Sequence, residues 1–338
     1  ARILLVGDID RGGVFASFIG HVSTFCPEEL DLFSGFLVNK FRGDPVLLGD
    51  AFAMTLDRTG FPVLGCVPML SGLDIPDEDE PVVKAGDRPG ADLRIAVPRL
   101  RHVSNFTDLD AFAAEPDVQV VPVSRGDELA AGRWDAVIIP GSKSTVADLG
   151  WLRESGLADS IIAYARGGGT VTGICGGYQM LGRRIFDPDG VESPERSVDG
   201  LGLLALETAF SVDKTLARSD AVWLDDGSPL AGYEIHHGNT TSIPQDPGDR
   251  DPLLRPAVRT MSSDIIGYRS GAVWGSYLHG IFDTDGFRRA FLNGLRERRG
   301  LAPLPIHPRP SLDENISRLA DAVRESVDLG AIRRELGL

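Results

Sequence analysis

The run Thr170-Val171-Thr172-Gly173-Ile174-Cys175-Gly176-Gly177-Tyr178-Gln179-Met180-Leu181 constrains this chain more than any other stretch. An apolar, β-branched segment runs into Gly-x-Cys-x-Gly, and a helix-like segment follows at once. This is the layout of a nucleophile elbow. Small residues two before and two after the cysteine let the backbone turn sharply and lift the side chain to the strand tip. A helix starting behind the sulfur would lower the thiol pKa through its N-terminal dipole. A lone cysteine in a glycine-rich turn would be read as core, but the glycine spacing argues for the elbow.

A thiol nucleophile needs a base. Of the six histidines, His279 fits best, because the alternating stretch Val273-Trp274-Gly275-Ser276-Tyr277-Leu278 ends in His279-Gly280, which places the imidazole at a strand end. It lies 104 residues after Cys175, so the two would meet through the fold. Such a pair suits acyl transfer: the base takes the thiol proton and later protonates the leaving amine. Taken alone, His279 could equally be a surface residue closing a hairpin. A third segment adds donors. Asp135-Ala136-Val137-Ile138-Ile139 reads as a buried strand, and Pro140-Gly141-Ser142-Lys143-Ser144-Thr145 as a loop entering a helix. The backbone N–H groups at Gly141 and Ser142, with that of Gly176, can face a developing oxyanion. A phosphate loop is the alternative for this segment, but it lacks the G-x-x-x-x-G-K-[ST] spacing.

These three segments, GICGGYQMLG, IIPGSKST and YLHGIF, together resemble the class I (triad) glutamine amidotransferases, and more narrowly the cobyric acid synthase family. Further segments carry the narrower likeness: VGDIDRGGVF at 6–15, GFLVNKFRGD at 35–44, Ser104-Asn105-Phe106-Thr107-Asp108, and Gly232-Tyr233-Glu234-Ile235-His236-His237-Gly238. The elbow alone marks any class I amidotransferase; DIDRGGVFAS with NKFRGD marks this branch more tightly. The resemblance runs from residue 1 to about 300. It implies that Cys175 and His279 carry glutamine hydrolysis, with Gly141, Ser142, Gly176 and Gln179 around the oxyanion and the bound glutamine. It further implies ATP and Mg²⁺ as co-substrate and metal, with no tightly bound cofactor, and adenosylcobyrinic acid a,c-diamide as the corrinoid amidated to adenosylcobyric acid.

Two departures matter. Triad amidotransferases usually carry a glutamate two residues after the catalytic histidine, and that position is Ile281. The third member is then missing or supplied from elsewhere, for example Asp283 or Glu234, and a Cys–His dyad is expected to do most of the work. The resemblance also implies a P-loop, dethiobiotin-synthetase-like ATP domain, yet no Walker A sequence occurs. Residue 1 begins directly on an apolar strand, so the chain reads as starting in the middle of that domain, and weak ATP binding is expected of it. Asp8, Asp10 and Asn39 should fall at the carboxyl ends of parallel strands. The resemblance places Asp8 and Asp10 near Mg²⁺–phosphate or a corrinoid carboxylate, and Asn39 with Lys40 at the adenine; loop capping by the two aspartates stays open.

The predicted fold class is α/β: a partial P-loop parallel-sheet domain followed by a flavodoxin-like amidotransferase domain with a nucleophile elbow. The boundaries read 1–85 for the ATP-domain part, 86–92 for a linker, 93–300 for the amidotransferase part, and 301–338 for a Pro-rich link and C-terminal helix. Strands near 93–97, 118–122, 135–139 and 170–174 precede a shift to short antiparallel runs between 200 and 277. A helix near 284–299 closes that domain, and a last one is read over about 312–336. His236 and His237, adjacent on a strand, would face opposite ways and cannot easily share a metal; lining of the substrate face by His236 or Glu234 fits better.

Net charge −15 and a pI near 4.8 argue against a nucleic-acid or anionic-membrane partner. A local basic pocket must then be assumed for a polycarboxylate substrate. Three distant cysteines, with no C-x-x-C and no signal peptide or long apolar run, suit a soluble cytoplasmic protein. Other readings stay open: an amidotransferase for another carboxylate (a cobyrinate a,c-diamide synthase step or a cell-wall lipid glutamate), an elbow-fold cysteine hydrolase, or a silent binding module, which the presence of Cys175, Gly176 and His279 disfavours.

Overall fold

The computed structural model describes residues 1–73, 75, 88, 90–244, 253–309 and 312–337. The predicted 86–92 linker therefore lies partly outside the described residues. Two compact units form, one from 1–77 with 310–338 and one from 78–309.

In the first unit, β1 (Ile3–Asp8), α1 (Val14–Thr24), α2 (Pro27–Leu30), β2 (Phe33–Phe41), α3 (Gly49–Thr59) and β3 (Val63–Pro68) build a parallel sheet ordered β1-β2-β3. Its core is aromatic: Phe18 stacks on Phe36 at 4.5 Å, and Phe33 meets Phe61 edge-on at 4.8 Å.

In the second unit, β4 (Leu93–Pro98), β5 (Val118–Val123), α4 (Gly126–Ala131), β6 (Ala136–Ile139), α5 (Thr145–Glu154), α6 (Leu157–Arg166), β7 (Thr170–Ile174) and α7 (Gly176–Leu181) form the βα half. Every residue of β6 and β7 is buried, as parallel strands covered on both faces require. The expected change of pattern follows. β8 (Arg184–Phe186), β9 (Ser197–Asp199), the long hairpin of β10 (Leu206–Trp223) and β11 (Pro229–Ser242), β12 (Arg255–Thr260), β13 (Ile265–Ser270) and β14 (Val273–Ser276) extend the same sheet. Its order among the described residues is β5-β4-β6-β7-β14-β13-β12-β10-β8-β9, with β11 on β10. The site depends on one join: β14 lies parallel beside β7, with Gly275 opposite Gly173 and Ser276 opposite Ile174.

Helix α8 (Asp285–Arg298) closes this unit through three buried arginines. Arg288 pairs with Glu115, Arg289 with Glu115 and Asp117, and Arg296 with Asp117. The helix read over 312–336 is two helices, α9 (Leu312–Ser326) and α10 (Leu329–Leu336), and both belong to the first unit. The break has a local cause. Val327 bridges Gly65 of β3, Asp328 N–H donates to Leu64 O, and the Asp328 carboxylate caps α10 through Ala331 N–H.

Candidate active site

Cys175 sits between β7 and α7 with φ 49° and ψ −108°, in the positive-φ region that a non-glycine residue rarely enters. The flanking glycines are required by contact. A Cβ on Gly173 would stand 2.6 Å from Gly177 C and O, and one on Gly177 would meet Ile139 O and lie 2.7 Å from Pro140 O. Cys175 N–H donates to Ser276 O at 2.8 Å, tying the turn to the histidine-bearing strand.

His279 follows β14 and is fully buried. A Cβ on Gly141 would lie 2.9 Å from its Cε1 and 3.7 Å from Cys175 Cβ, so loop, imidazole and cysteine converge on one point. The partner that sequence reasoning missed is Asp108. Its Oδ2 lies 2.7 Å from His279 Nδ1, its Oδ1 accepts Gly280 N–H at 2.8 Å, and both side chains are closed to solvent. A carboxylate can only accept, so Nδ1 carries a hydrogen and Nε2 is the nitrogen left to exchange a proton with a neighbour. Nε2 has no formed hydrogen bond. Burial works against the imidazolium, but Asp108 and then the Cys175 sulfur outweigh it and push the His279 pKa up to about 10. The Tyr233 ring covers the imidazole at 5.2 Å, nearly parallel.

The two carboxylates considered for this role lie elsewhere. Asp283 pairs with Arg309. Glu234 accepts from Ser219 Oγ at 2.6 Å and sits 3.4 Å from His236 Nε2; with His236 it lines a cavity of about 510 Å³. Asp108 escaped notice because it sits in a 3-10 stretch (Phe106–Ala114) 171 residues before His279. Its only signal was its place in the Ser104–Asp108 segment.

The 141–145 loop is held from below by the fully buried carboxylate of Asp148, which accepts from Ser142 Oγ at 2.6 Å and from Arg101 and His102 N–H. Some of the neighbouring backbone is engaged: Gly141 O accepts Ser104 N–H, and Lys143 N–H donates to His102 O. The N–H groups of Ser142 and Gly176 find no acceptor among the described residues. They lie close together, since a Cβ on Gly176 would stand 2.9 Å from Ser142 N. Two free donors beside a strained thiol can hold an oxyanion. Gln179 is buried, with Nε2 donating to Tyr277 OH and Oε1 accepting from Thr145 Oγ1, both at 3.2 Å. Its amide thus braces the site from within.

In the first unit the structure brings Asp8, Asp10, Asn39 and Lys40 to the ends of β1 and β2. Asp8 caps the following turn through Asp10 N–H, so the capping reading holds for it. Lys40 Nζ is 2.9 Å from Asp8, and Arg42 is 3.0 Å from Asp10. Lys40 has φ 62°, and its N–H donates to Asn39 Oδ1. Each carboxylate already faces a cation, so a divalent ion would have to displace these pairs. Among the described residues no group of three or more His, Cys, Asp or Glu could hold a metal, and no helix is long and apolar enough to cross a membrane.

Known proteins offer a comparison for this geometry. Residues 94–287 match the sequence model of a family described as the CobB/CobQ-like glutamine amidotransferase domain. Over its whole length the chain is 44% identical to a cobyric acid synthase of Nitratidesulfovibrio vulgaris, 41% to one of Syntrophobacter fumaroxidans and 44% to one of Sorangium cellulosum. It covers 69% of each of these relatives.

Proposed function

The chain belongs to the cobyric acid synthase family, a glutamine-hydrolysing group, and from that premise we propose how it performs glutamine-dependent amidation in cobalamin synthesis. Cys175 hydrolyses glutamine with His279 as base and Asp108 behind it. The observation that carries this reading is the positive-φ Cys175 and an Asp108-bound imidazole converging on the Gly141 loop.

Cys175 gives its proton to His279 Nε2, and the thiolate attacks the carboxamide carbon of glutamine. The carbonyl oxygen becomes an oxyanion between Ser142 and Gly176 N–H. The imidazolium returns its proton to the nitrogen as the C–N bond breaks, releasing ammonia and leaving a γ-glutamyl thioester. Water, deprotonated by His279, then attacks the thioester, and glutamate and the free thiol leave. Asp108 favours the charged imidazole in both halves, which is the job of the carboxylate in a triad.

The acceptor in this proposal is a corrinoid, adenosylcobyrinic acid a,c-diamide, whose side-chain carboxylates ATP activates and ammonia converts to amides. The nucleotide in this proposal lies at the strand ends of the first unit, with Asn39 and Lys40 at its base and Asp8 and Asp10 on the phosphate side; magnesium would arrive with the nucleotide.

The test is Cys175→Ser. Glutamine hydrolysis should disappear while any amidation from added ammonia survives, because only the thiolate is lost. Glutamine hydrolysis that persists in this variant overturns the assignment. Labelling by a thiol electrophile should also fall on Cys175 before Cys66, whose thiol burial pushes up.

A further inference from the structure

One carboxylate next to this site has no part in the chemistry above. Glu192 lies on the loop between β8 and β9, and the structure goes to some length to aim it. Asp187 Oδ1 accepts Val191 N–H, and its Oδ2 accepts the N–H groups of Glu192 and Ser193, at 2.7–2.9 Å. That folds the loop back so that Glu192 Oε2 accepts Thr145 N–H at 2.6 Å and Oε1 lies 3.4 Å from Thr145 Oγ1. Thr145 is in turn next to the reaction centre. Its hydroxyl donates to Gln179 and would lie 3.2 Å from a Cβ on Gly176, the residue after the nucleophile.

No Lys, Arg or His pairs with Glu192 among the described residues. Burial and then the nearby Asp187 charge raise its pKa, while the Thr145 and Val146 N–H groups oppose that only in part. An anion held in a partly desolvated place without a cation calls for one from outside. L-Glutamine supplies it: covalent geometry puts its α-ammonium roughly 5 Å from the carboxamide carbon.

We propose that Glu192 receives the α-ammonium of the substrate glutamine and so selects a free amino acid over other primary amides. This rests on the reading of Cys175 as a glutaminase nucleophile. Glu192 touches substrate at the end remote from the reaction, so its loss should weaken binding more than turnover.

The experiment compares L-glutamine with 4-carbamoylbutyrate, the same amide without the amino group, as substrates of the full chain and of Glu192→Gln. The wild type should favour glutamine. Glu192→Gln should raise KM for glutamine about 10- to 100-fold, as expected for losing a hydrogen bond to a charged group, with kcat changed far less. Hydrolysis of 4-carbamoylbutyrate should stay as it was. Glu192→Asp should recover part of the preference. The rate at which iodoacetamide labels Cys175 reports whether the variant site is intact. Equal losses on both amides, or no loss on either, would reduce Glu192 to a cap of α5 and overturn the proposal. A wild type that hydrolyses neither amide overturns the glutaminase reading, and this one with it.

Discussion

Replacing Asp108 by asparagine removes one charge and almost no volume from a closed site. The rise of the His279 pKa from 6.5 to about 10 corresponds to roughly 5 kcal/mol of preference for the imidazolium, shared between Asp108 and the sulfur. A hydrogen bond to a charged partner accounts for about 1.5–3 kcal/mol of that, so kcat for glutamine hydrolysis should fall about 10- to 100-fold. The pH dependence gives an independent reading. Folding raises this pKa, so the stabilisation Asp108 provides is fully present below pH 6.5 and fades as pH climbs towards 10. Asp108→Asn should accordingly melt below the wild type at pH 6, and the gap should close in alkaline buffer. Its imidazole should titrate lower, moving the alkaline limb of kcat/KM towards neutrality. A variant with less than threefold loss of kcat and an unmoved limb would refute Asp108 as the partner of His279.

Three further substitutions test the frame around the site. Gly177→Ala forces a methyl against Ile139 O and Pro140 O, so it should cost about 1–3 kcal/mol or more and abolish glutamine hydrolysis, read by melting and by assay. Tyr233→Ala uncovers the imidazole face; losing a stacked ring costs about 0.5–1.5 kcal/mol, and a 2- to 10-fold drop in kcat/KM is expected, with Tyr233→Phe near normal. Asp117→Asn breaks a buried network, with a loss of about 3–5 kcal/mol at pH 7. Although burial opposes it, Arg289 and Arg296 hold the Asp117 carboxyl below 3.8, so that stability is present above this pH and lost as pH falls further. The melting gap between variant and wild type should narrow below pH 4.

The elbow was legible because its rules are local: a β-branched strand, two glycines where no Cβ fits, and a helix directly behind. The βα strands from 93 to 174 were legible for the same reason. Asp108 was not, since nothing in a 3-10 stretch records which side chain will lie under an imidazole 171 residues away. Ile281 removed the usual signpost and drew attention to nearby Asp283 and to Glu234. The break at Val327 was equally hidden. The apolar spacing of 312–336 continues through it, and only the edge of β3 decides that residue 327 pairs as a strand.

The parallel join of β7 and β14 bears on when the site comes into being. The strand that ends at Cys175 belongs to the early βα half, whereas β14 is the last strand of the unit, reached in sequence only after the β10–β13 extension. Contacts of such sequence separation are slow to form, because loop-closure entropy is lost before they reward it. As the chain emerges during synthesis, Cys175 is present for about a hundred residues before His279 exists. The thiol is apposed to His279 only once β14 lies beside β7. On the proposed Cys175–His279 chemistry, a domain without β14 in place releases no ammonia, and the onset of activity dates the docking of that strand.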